Sequence, residues 1–288
     1  VLDHMVSAMK EDEVFKAVYA QLCFQGSSYE KLRVGSPDEF DINLELRLPV
    51  NYAELKVEAS QTIPGFARIK LGAVTGKKGE QVQKTVEDWI DVSRYLLRGK
   101  ILNWLQSRVD KVLPKIRFEF LQEIKRARNG PAITLKIKVT DGRELCVDLV
   151  PCLVFDGENL PARILKRLDG LPYEIAQYLT WSVVPKGPKE IADCKQCVDD
   201  ENGSCEREWR MSFYEYEKSL MNGLDGMKPT IKLLKVIRDR WGRTNVSSYY
   251  IKTVFLWEIY EKGNEFWRKK DRGYLFIYVS SDSFSLLY

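Results

Sequence analysis

The sequence carries Gly26-Ser27-Ser28-Tyr29-Glu30 and, shortly after it, Pro37-Asp38-Glu39-Phe40-Asp41. Glycine allows close backbone approach, and glycine and serine together offer N–H and hydroxyl donors of the kind that cradle a triphosphate. Side chains alternate between the two faces of an extended strand, so Glu39 and Asp41 project to one side while Phe40 and Ile42 point into a core. Paired carboxylates on one face suit hard divalent cations such as magnesium, and two such ions can clamp the attacking and leaving oxygens of a displacement at phosphorus. The chemistry within reach of these residues is nucleotidyl transfer.

Alternating acidic and apolar residues also describe any half-solvated edge strand. Gly26-Ser27 ahead of the pair tells against that plain reading, and so does a third acid. Residues Arg143 to Val150 read as a buried strand, where a charge is costly unless it binds a cation. Glu144 and Asp148 share one parity there; the apolar neighbours of Asp148 single it out as the third metal ligand.

Such residues need elements to hold them. Glu11 to Cys23 places Val14, Phe15, Val18, Tyr19 and Leu22 on one stripe, which predicts an amphipathic helix ending near Gly26 and delivering the Gly-Ser turn. Strands are predicted over Phe40 to Leu48, Phe66 to Leu71, Ala132 to Val139 and Leu145 to Val150. Helices are predicted over Val86 to Gln106 and Val112 to Arg126, with Pro114 near the start of the second. Asn129-Gly130-Pro131 and Asp141-Gly142 read as turns. From Glu208 the periodicity is mostly helical, over Glu208 to Met221, Pro229 to Trp241 and Val246 to Tyr260, with Pro229 well placed in a first turn. The polar stretch from Pro185 to Ser204 reads as a linker. The expected fold is α+β and bilobal: a nucleotidyltransferase core over residues 1–185, with a mixed β-sheet, flanking helices and an N-terminal spine helix, then a helical lobe over residues 186–288, with the active site in the cleft.

Length and composition suit a packed enzyme: 288 residues, 44% of them apolar, with seven Trp, fourteen Tyr and twelve Phe, are ample for a core. No apolar run reaches the length of a membrane span, and Val1-Leu2-Asp3-His4 has neither the basic region nor the apolar core of a signal peptide. A cytoplasmic location without membrane attachment is the default expectation, and the absent initiator methionine points to a removed N-terminal extension. The six cysteines read as reduced thiols rather than a disulfide framework. Cys194, Cys197 and Cys205 have the spacing of half a zinc ribbon, but a structural zinc needs a fourth ligand and His4 is the only histidine, so no structural zinc is expected.

A net charge of +4 makes no case for nucleic acid by itself. Its distribution says more. From Arg94 to Gly130 ten Lys/Arg (Arg94, Arg98, Lys100, Arg108, Lys111, Lys115, Arg117, Lys125, Arg126, Arg128) face three acids (Asp110, Glu119, Glu123), a density that can bind phosphates or simply form a solvated helix face. Lys228, Lys232 and Lys235 fall along one helical stripe, with Lys218 on the neighbouring helix.

Several of these motifs occur together and in order in one family. Gly26-Ser27-Ser28-Tyr29-Glu30, Asp38-Glu39-Phe40-Asp41, Val147-Asp148, Trp209-Arg210-Met211-Ser212-Phe213 and Ser247-Ser248-Tyr249-Tyr250-Ile251-Lys252-Thr253 resemble the signature segments of the cyclic GMP-AMP synthase (cGAS) family, whose cGAS-like receptors act in innate immunity. The resemblance covers nearly the whole chain. It implies a metal-dependent nucleotidyltransferase that uses two Mg2+ or Mn2+ ions on Glu39, Asp41 and Asp148 to make a cyclic dinucleotide of the cyclic GMP-AMP type from ATP and GTP, which then activates STING signalling. It assigns nucleotide contacts to Gly26, Ser27, Arg210, Lys235, Ser247, Ser248 and Tyr249, and nucleic-acid contacts to Lys218, Lys228 and Lys232. Read in isolation, Ser247-Ser248 could cap a helix and Tyr249 could be a core aromatic. The vertebrate synthase carries a zinc ribbon after the Trp-Arg-Leu-Ser-Phe segment; here Lys218 to Gly223 runs almost directly into Lys228-Pro229. That departure favours double-stranded RNA over double-stranded DNA as activator, with a nucleic-acid-induced dimer as a further implication. A DNA-activated synthase and a template-independent RNA nucleotidyltransferase are the alternatives. After Asp271-Arg272-Gly273 the family continues with more helix than this chain holds.

Overall fold

The computed structural model of this chain describes residues 1–36, 38–61, 63–72, 79–129, 132–161, 164, 180–188, 204–224, 226–243 and 246–279. They cluster into two units: Val1–Phe24 with Asp38–Phe213, and Gln25–Pro37 with Tyr214–Tyr288.

The first unit is built on a mixed sheet. Its elements in chain order are helices α1 (Leu2–Met9) and α2 (Glu13–Val18), strands β1 (Tyr19–Gln25), β2 (Glu39–Leu46), β3 (Lys56–Ala59) and β4 (Phe66–Lys70), helices α4 (Glu80–Asp88) and α5 (Arg98–Val112), and strands β5 (Leu121–Asn129), β6 (Ala132–Val139), β7 (Glu144–Phe155), β8 (Trp181–Val184) and β9 (Trp209–Ser212); α3 is a single turn in the second unit, given below. The strand order is β1-β2-β7-β8-β9-β4-β3, and β6 pairs with both β5 and β7. β2 runs parallel to β7, and β7 is antiparallel to β6 and β8. The alternation in β2 explains its place: Ile42, Leu44 and Leu46 are buried on the core face, and each such side chain stabilises by about 1.5–3 kcal/mol. The opposite face carries Glu39, Asp41, Asn43 and Glu45, exposed at its start and buried further along. Phe15 of α2, Trp89 after α4 and Trp104 of α5 form an aromatic cluster, with Trp89 and Trp104 edge to face at 4.9 Å.

Three predicted helices give way to sheet. The helix expected over Glu11 to Cys23 ends at Val18, and Tyr19–Gln25 continues as β1. The Val18 carbonyl accepts from the Arg47 N–H at the end of β2, at 2.8 Å, so sheet pairing takes over where a spine helix was expected. Tyr, Leu, Cys and Phe satisfy either period, and an unpaired edge of β2 would be costly to leave open. The helix expected over Val112 to Arg126 is a short 3-10 turn at Leu113–Lys115 followed by β5, because Pro114 stops the helix and β6 offers a ladder. Trp209–Ser212 is a strand rather than the start of a helix, and the buried Trp209 indole donates to the Leu96 carbonyl at 3.0 Å. The stretch Val86 to Gln106 is two helices, α4 and α5, with a bridge between Ile90 and Leu96 in the gap. The hairpin at Asp141-Gly142 forms as predicted: Gly142 has φ +88° and the Asp141 carboxylate accepts from the Arg143 N–H.

The second unit is helical: α3 (Gly26–Tyr29), α6 (Tyr214–Leu220), α7 (Met227–Arg240), α8 (Ser248–Lys269) and α9 (Arg272–Tyr278). Its core joins Leu32 to Met221, Met227, Ile231, Leu234, Ile251, Phe255, Ile259, Trp267 and Leu275. The division falls at Tyr214 rather than at the expected 185/186, because β8 and β9 pair with each other and β9 with β4; Gln25–Pro37 joins the helical unit through Leu32. Part of the expected linker lies outside the described residues. Among those described, no helix is long and apolar enough to cross a membrane.

Candidate active site and nucleotide-binding residues

The β2–β7 register sets Asp41 directly opposite Asp148, and Glu39 opposite Cys146. Facing residues of a parallel pair share a face, so Glu39, Asp41 and Asp148 look to one side of the sheet. Glu39 and Asp41 are exposed and Asp148 half-buried, while Ile42 and Leu149 pair on the core side. On the other flank, β6 sets Thr134 opposite Asp148, and the Thr134 hydroxyl donates to Asp148 Oδ1 at 2.5 Å. Thr134 is a residue that sequence reasoning missed; its signal was a polar side chain in the otherwise apolar run Ala132-Ile-Thr-Leu. The donors on this face are hard oxygens, the type that magnesium and manganese prefer, so the residues suit such an ion by their chemistry. Among the described residues, no group of three or more His, Cys, Asp or Glu side chains is gathered closely enough to hold a metal ready-made.

Arg210 lies on β9, opposite Val184 of β8 and Phe66 of β4, and is half-buried. Just before Trp209, Glu208 is buried and takes Arg68 Nε at 2.6 Å and the Ser60 hydroxyl at 3.2 Å, anchoring the start of β9.

The remaining predicted nucleotide contacts belong to the second unit. Gly26 opens α3 with φ +76°, a conformation that favours glycine, and the Gly26 and Ser27 carbonyls accept from the N–H groups of Glu30 and Leu32 at 3.0 and 2.8 Å. Lys235 is buried and donates through Nζ to the Leu32 carbonyl at 2.8 Å; burial foremost, with Arg238 beside it, holds its pKa below the usual lysine value. Ser247 caps α8, its Oγ accepting from the Tyr250 N–H at 3.2 Å. Ser248 Oγ accepts from Arg238 at 2.9 Å. Tyr249 is 47% exposed, hence not a core aromatic, and its hydroxyl donates to Glu217 at 3.2 Å.

Lys252, absent from the predicted contacts, makes two ion pairs. It is buried, with Glu30 Oε1 at 2.9 Å and Glu217 Oε2 at 3.0 Å. Its signal in the sequence was a cation beside the apolar stripe Ile251, Phe255, Ile259.

The two basic clusters separate. Arg94, Arg98, Arg108, Lys115, Lys125 and Arg126 pair with Glu87, Glu206, Asp12, Glu11, Glu123 and Asp110, so much of the 94–130 charge is neutralised within the chain. Among the described residues no ion pair involves Lys218, Lys228 or Lys232; Lys218 is exposed, and Lys228 and Lys232 are half-buried on α7. Cys23, Cys146, Cys152 and Cys205 form no disulfide. Cys194 and Cys197, on which the zinc reading turned, lie outside the described residues.

The sequence is similar to known proteins over most of its length. Residues 28–223 match the Mab-21 protein nucleotidyltransferase domain, and residues 226–281 the Mab-21 protein HhH/H2TH-like domain, whose start coincides with that of α7. A cyclic GMP-AMP synthase-like receptor of Tribolium castaneum is 32% identical over 94% of this chain and 68% of its own length. Receptors so named from Aethina tumida and Microplitis demolitor are 31% and 33% identical, over 91% and 97% of this chain. The chain spans 64% of the first of these two and 51% of the second. With a matched nucleotidyltransferase domain carrying an acidic pair in register on one sheet face, the chain belongs to the Mab-21 nucleotidyltransferase family, among the cyclic GMP-AMP synthase-like receptors.

Proposed function

We propose that this chain is a nucleic-acid-activated nucleotidyltransferase that joins ATP and GTP into a cyclic dinucleotide of the cyclic GMP-AMP type, responds to double-stranded RNA, and feeds STING signalling from the cytoplasm. The observation that carries this reading is the β2–β7 register, which sets Asp41 opposite Asp148 on one face with Glu39 beside them. Glu39, Asp41 and Asp148 would hold two magnesium or manganese ions. When bound, the metal polarises the phosphoryl oxygens and neutralises charge on the departing pyrophosphate.

The chain's own groups position and bind. Thr134 restrains the Asp148 carboxylate through its hydroxyl hydrogen bond. Gly26 and Ser27 offer donors to the triphosphate, and Lys235 adds a cation whose ammonium already points at the Leu32 carbonyl beyond that turn. Ser247 and Ser248 each accept a hydrogen bond, which leaves each hydroxyl proton to donate to phosphate. The exposed Tyr249 ring offers a stacking surface for a base, and Arg210 a fork of donors for base recognition. Catalysis of this kind comes mainly from orientation and charge stabilisation rather than from a protein nucleophile.

Lys218, Lys228 and Lys232 would take the activator's phosphates. α6 ends at Leu220 and α7 begins at Met227, so only a short connection stands where the vertebrate synthase inserts its zinc ribbon. An A-form duplex is read by shape and backbone, for which a basic surface suffices. The test is incubation with ATP, GTP and magnesium or manganese, with double-stranded RNA, with double-stranded DNA, or with neither, followed by chromatography of the small products. A cyclic dinucleotide that appears with RNA and is lost in Glu39→Ala/Asp41→Ala is the expected result. Lengthening of a labelled RNA without cyclic product would overturn the proposal.

A further inference from the structure

Lys252 holds together parts of the second unit that are far apart in the chain. Glu30 is the last residue of the Gly-Ser segment, in the turn whose first carbonyl, that of Gly26, accepts the Glu30 N–H at 3.0 Å. Lys252 sits one turn into α8, beyond Ser247, Ser248 and Tyr249, and its ammonium reaches Glu30 Oε1 at 2.9 Å and Glu217 Oε2 of α6 at 3.0 Å. The three side chains are 11%, 14% and 17% exposed. Glu217 Oε1 accepts the Tyr249 hydroxyl at 3.2 Å, so the tyrosine proposed to stack on a base is tied to the same cluster.

Charges withdrawn from water are costly unless paired, and replacing such a cluster by apolar side chains is often neutral or better for stability. A reason beyond stability is therefore needed for two carboxylates and an ammonium here. Geometry supplies one. The Gly26-Ser27 donors and the Ser247-Ser248-Tyr249 group sit on separate segments, and both must stand at a fixed separation to meet one nucleotide. The ammonium bridges the two, and Glu217 fixes its other side. Burial pushes the Lys252 pKa down, Glu217 and Glu30 push it up, and the net shift is upward, so the bridge stays charged at neutral pH.

We infer that Lys252 is a positioning residue for nucleotide binding, clamping the Gly-Ser turn through Glu30 and the Ser-Ser-Tyr helix start through its own helix, with Glu217 as the anchor. The inference rests on the nucleotide-binding reading above. It is tested by calorimetric titration of ATP with manganese into the whole chain, as wild type, Lys252→Met, Lys252→Arg and Glu30→Gln, each checked for folding by thermal melting. Lys252→Met should weaken ATP binding about tenfold or more, the scale on which small misplacements of binding groups act. Lys252→Arg, whose guanidinium can still span both carboxylates, should recover most of the affinity. A purely structural role would lower the melting temperature and leave the affinity of the folded protein unchanged, and that result in Lys252→Met overturns the inference. Should Lys252→Met fail to fold, Glu30→Gln decides, since it keeps the Lys252–Glu217 pair: weakened binding supports the clamp, and unchanged binding overturns it. Absence of ATP binding in the wild type would instead bring down the nucleotide-binding reading itself.

Discussion

Thr134 on β6 donates its hydroxyl hydrogen to Oδ1 of Asp148 on β7 at 2.5 Å, across the pair that the antiparallel register sets face to face. A hydrogen bond to a carboxylate fixes its orientation. If Asp148 holds metal, Thr134 is the partner that aims it, and such supporting partners commonly matter for affinity. Thr134→Val keeps the volume and removes the donor. The manganese concentration for half-maximal product formation should rise about tenfold or more, with the melting temperature little changed. An unaltered metal titration would show that Asp148 needs no such help.

The lysines of α7 lend themselves to a salt test. Each phosphate contact releases a counterion, so the slope of log affinity against log salt reports how many contacts form. For duplex RNA binding, Lys228→Ala/Lys232→Ala should reduce the magnitude of that slope by about two. Neutralising Lys125 instead should do far less, because it is paired with Glu123 at 2.7 Å. Equal effects in the two variants would spread the nucleic-acid surface over both clusters.

How much of this was legible in the sequence depends on the range of the interaction. The alternation of Glu39, Phe40, Asp41 and Ile42 is local, and it correctly separates an acidic face from a core face. That Asp41 stands opposite Asp148 is not local: parity places each on a face, but register and strand neighbour arise only from pairing. The same limit hid Thr134. Lys252 was visible as a cation beside an apolar stripe, yet its partner Glu30 lies 222 residues away in the chain. Tyr19 to Gln25 failed for a different reason, since its residues suit both periods and the sheet edge made the choice.

Gly263 interrupts α8 with φ +75° and ψ 164°, a region open essentially to glycine alone. A methyl group there would meet nothing within 4 Å, so space is not the obstacle. Backbone strain is. Gly263→Ala should destabilise the chain by about 1–3 kcal/mol, read as a lower urea midpoint with an unchanged m-value. A neutral result would mean that α8 straightens through this point at little cost.

Lys235 combines a proposed nucleotide-binding duty with a stability penalty whose pH dependence can be worked out. Its pKa is held below 10.5 in the fold, by burial first and by Arg238 next, whereas the unfolded chain titrates near that value. Between the depressed pKa and 10.5 the unfolded state binds more protons than the native state, so stability rises with pH across that window. Below it the ammonium is charged in both states and the burial penalty is felt in full. Lys235→Met removes the titration and, with it, the hydrogen bond to the Leu32 carbonyl. The melting temperature of the wild type relative to Lys235→Met should therefore climb as pH is raised from neutrality toward 10.5, while ATP binding at neutral pH is weaker in the variant. A difference in melting temperature that stays constant over this range would show that Lys235 titrates alike in both states; unchanged ATP binding would confine the residue to supporting the Gly-Ser segment.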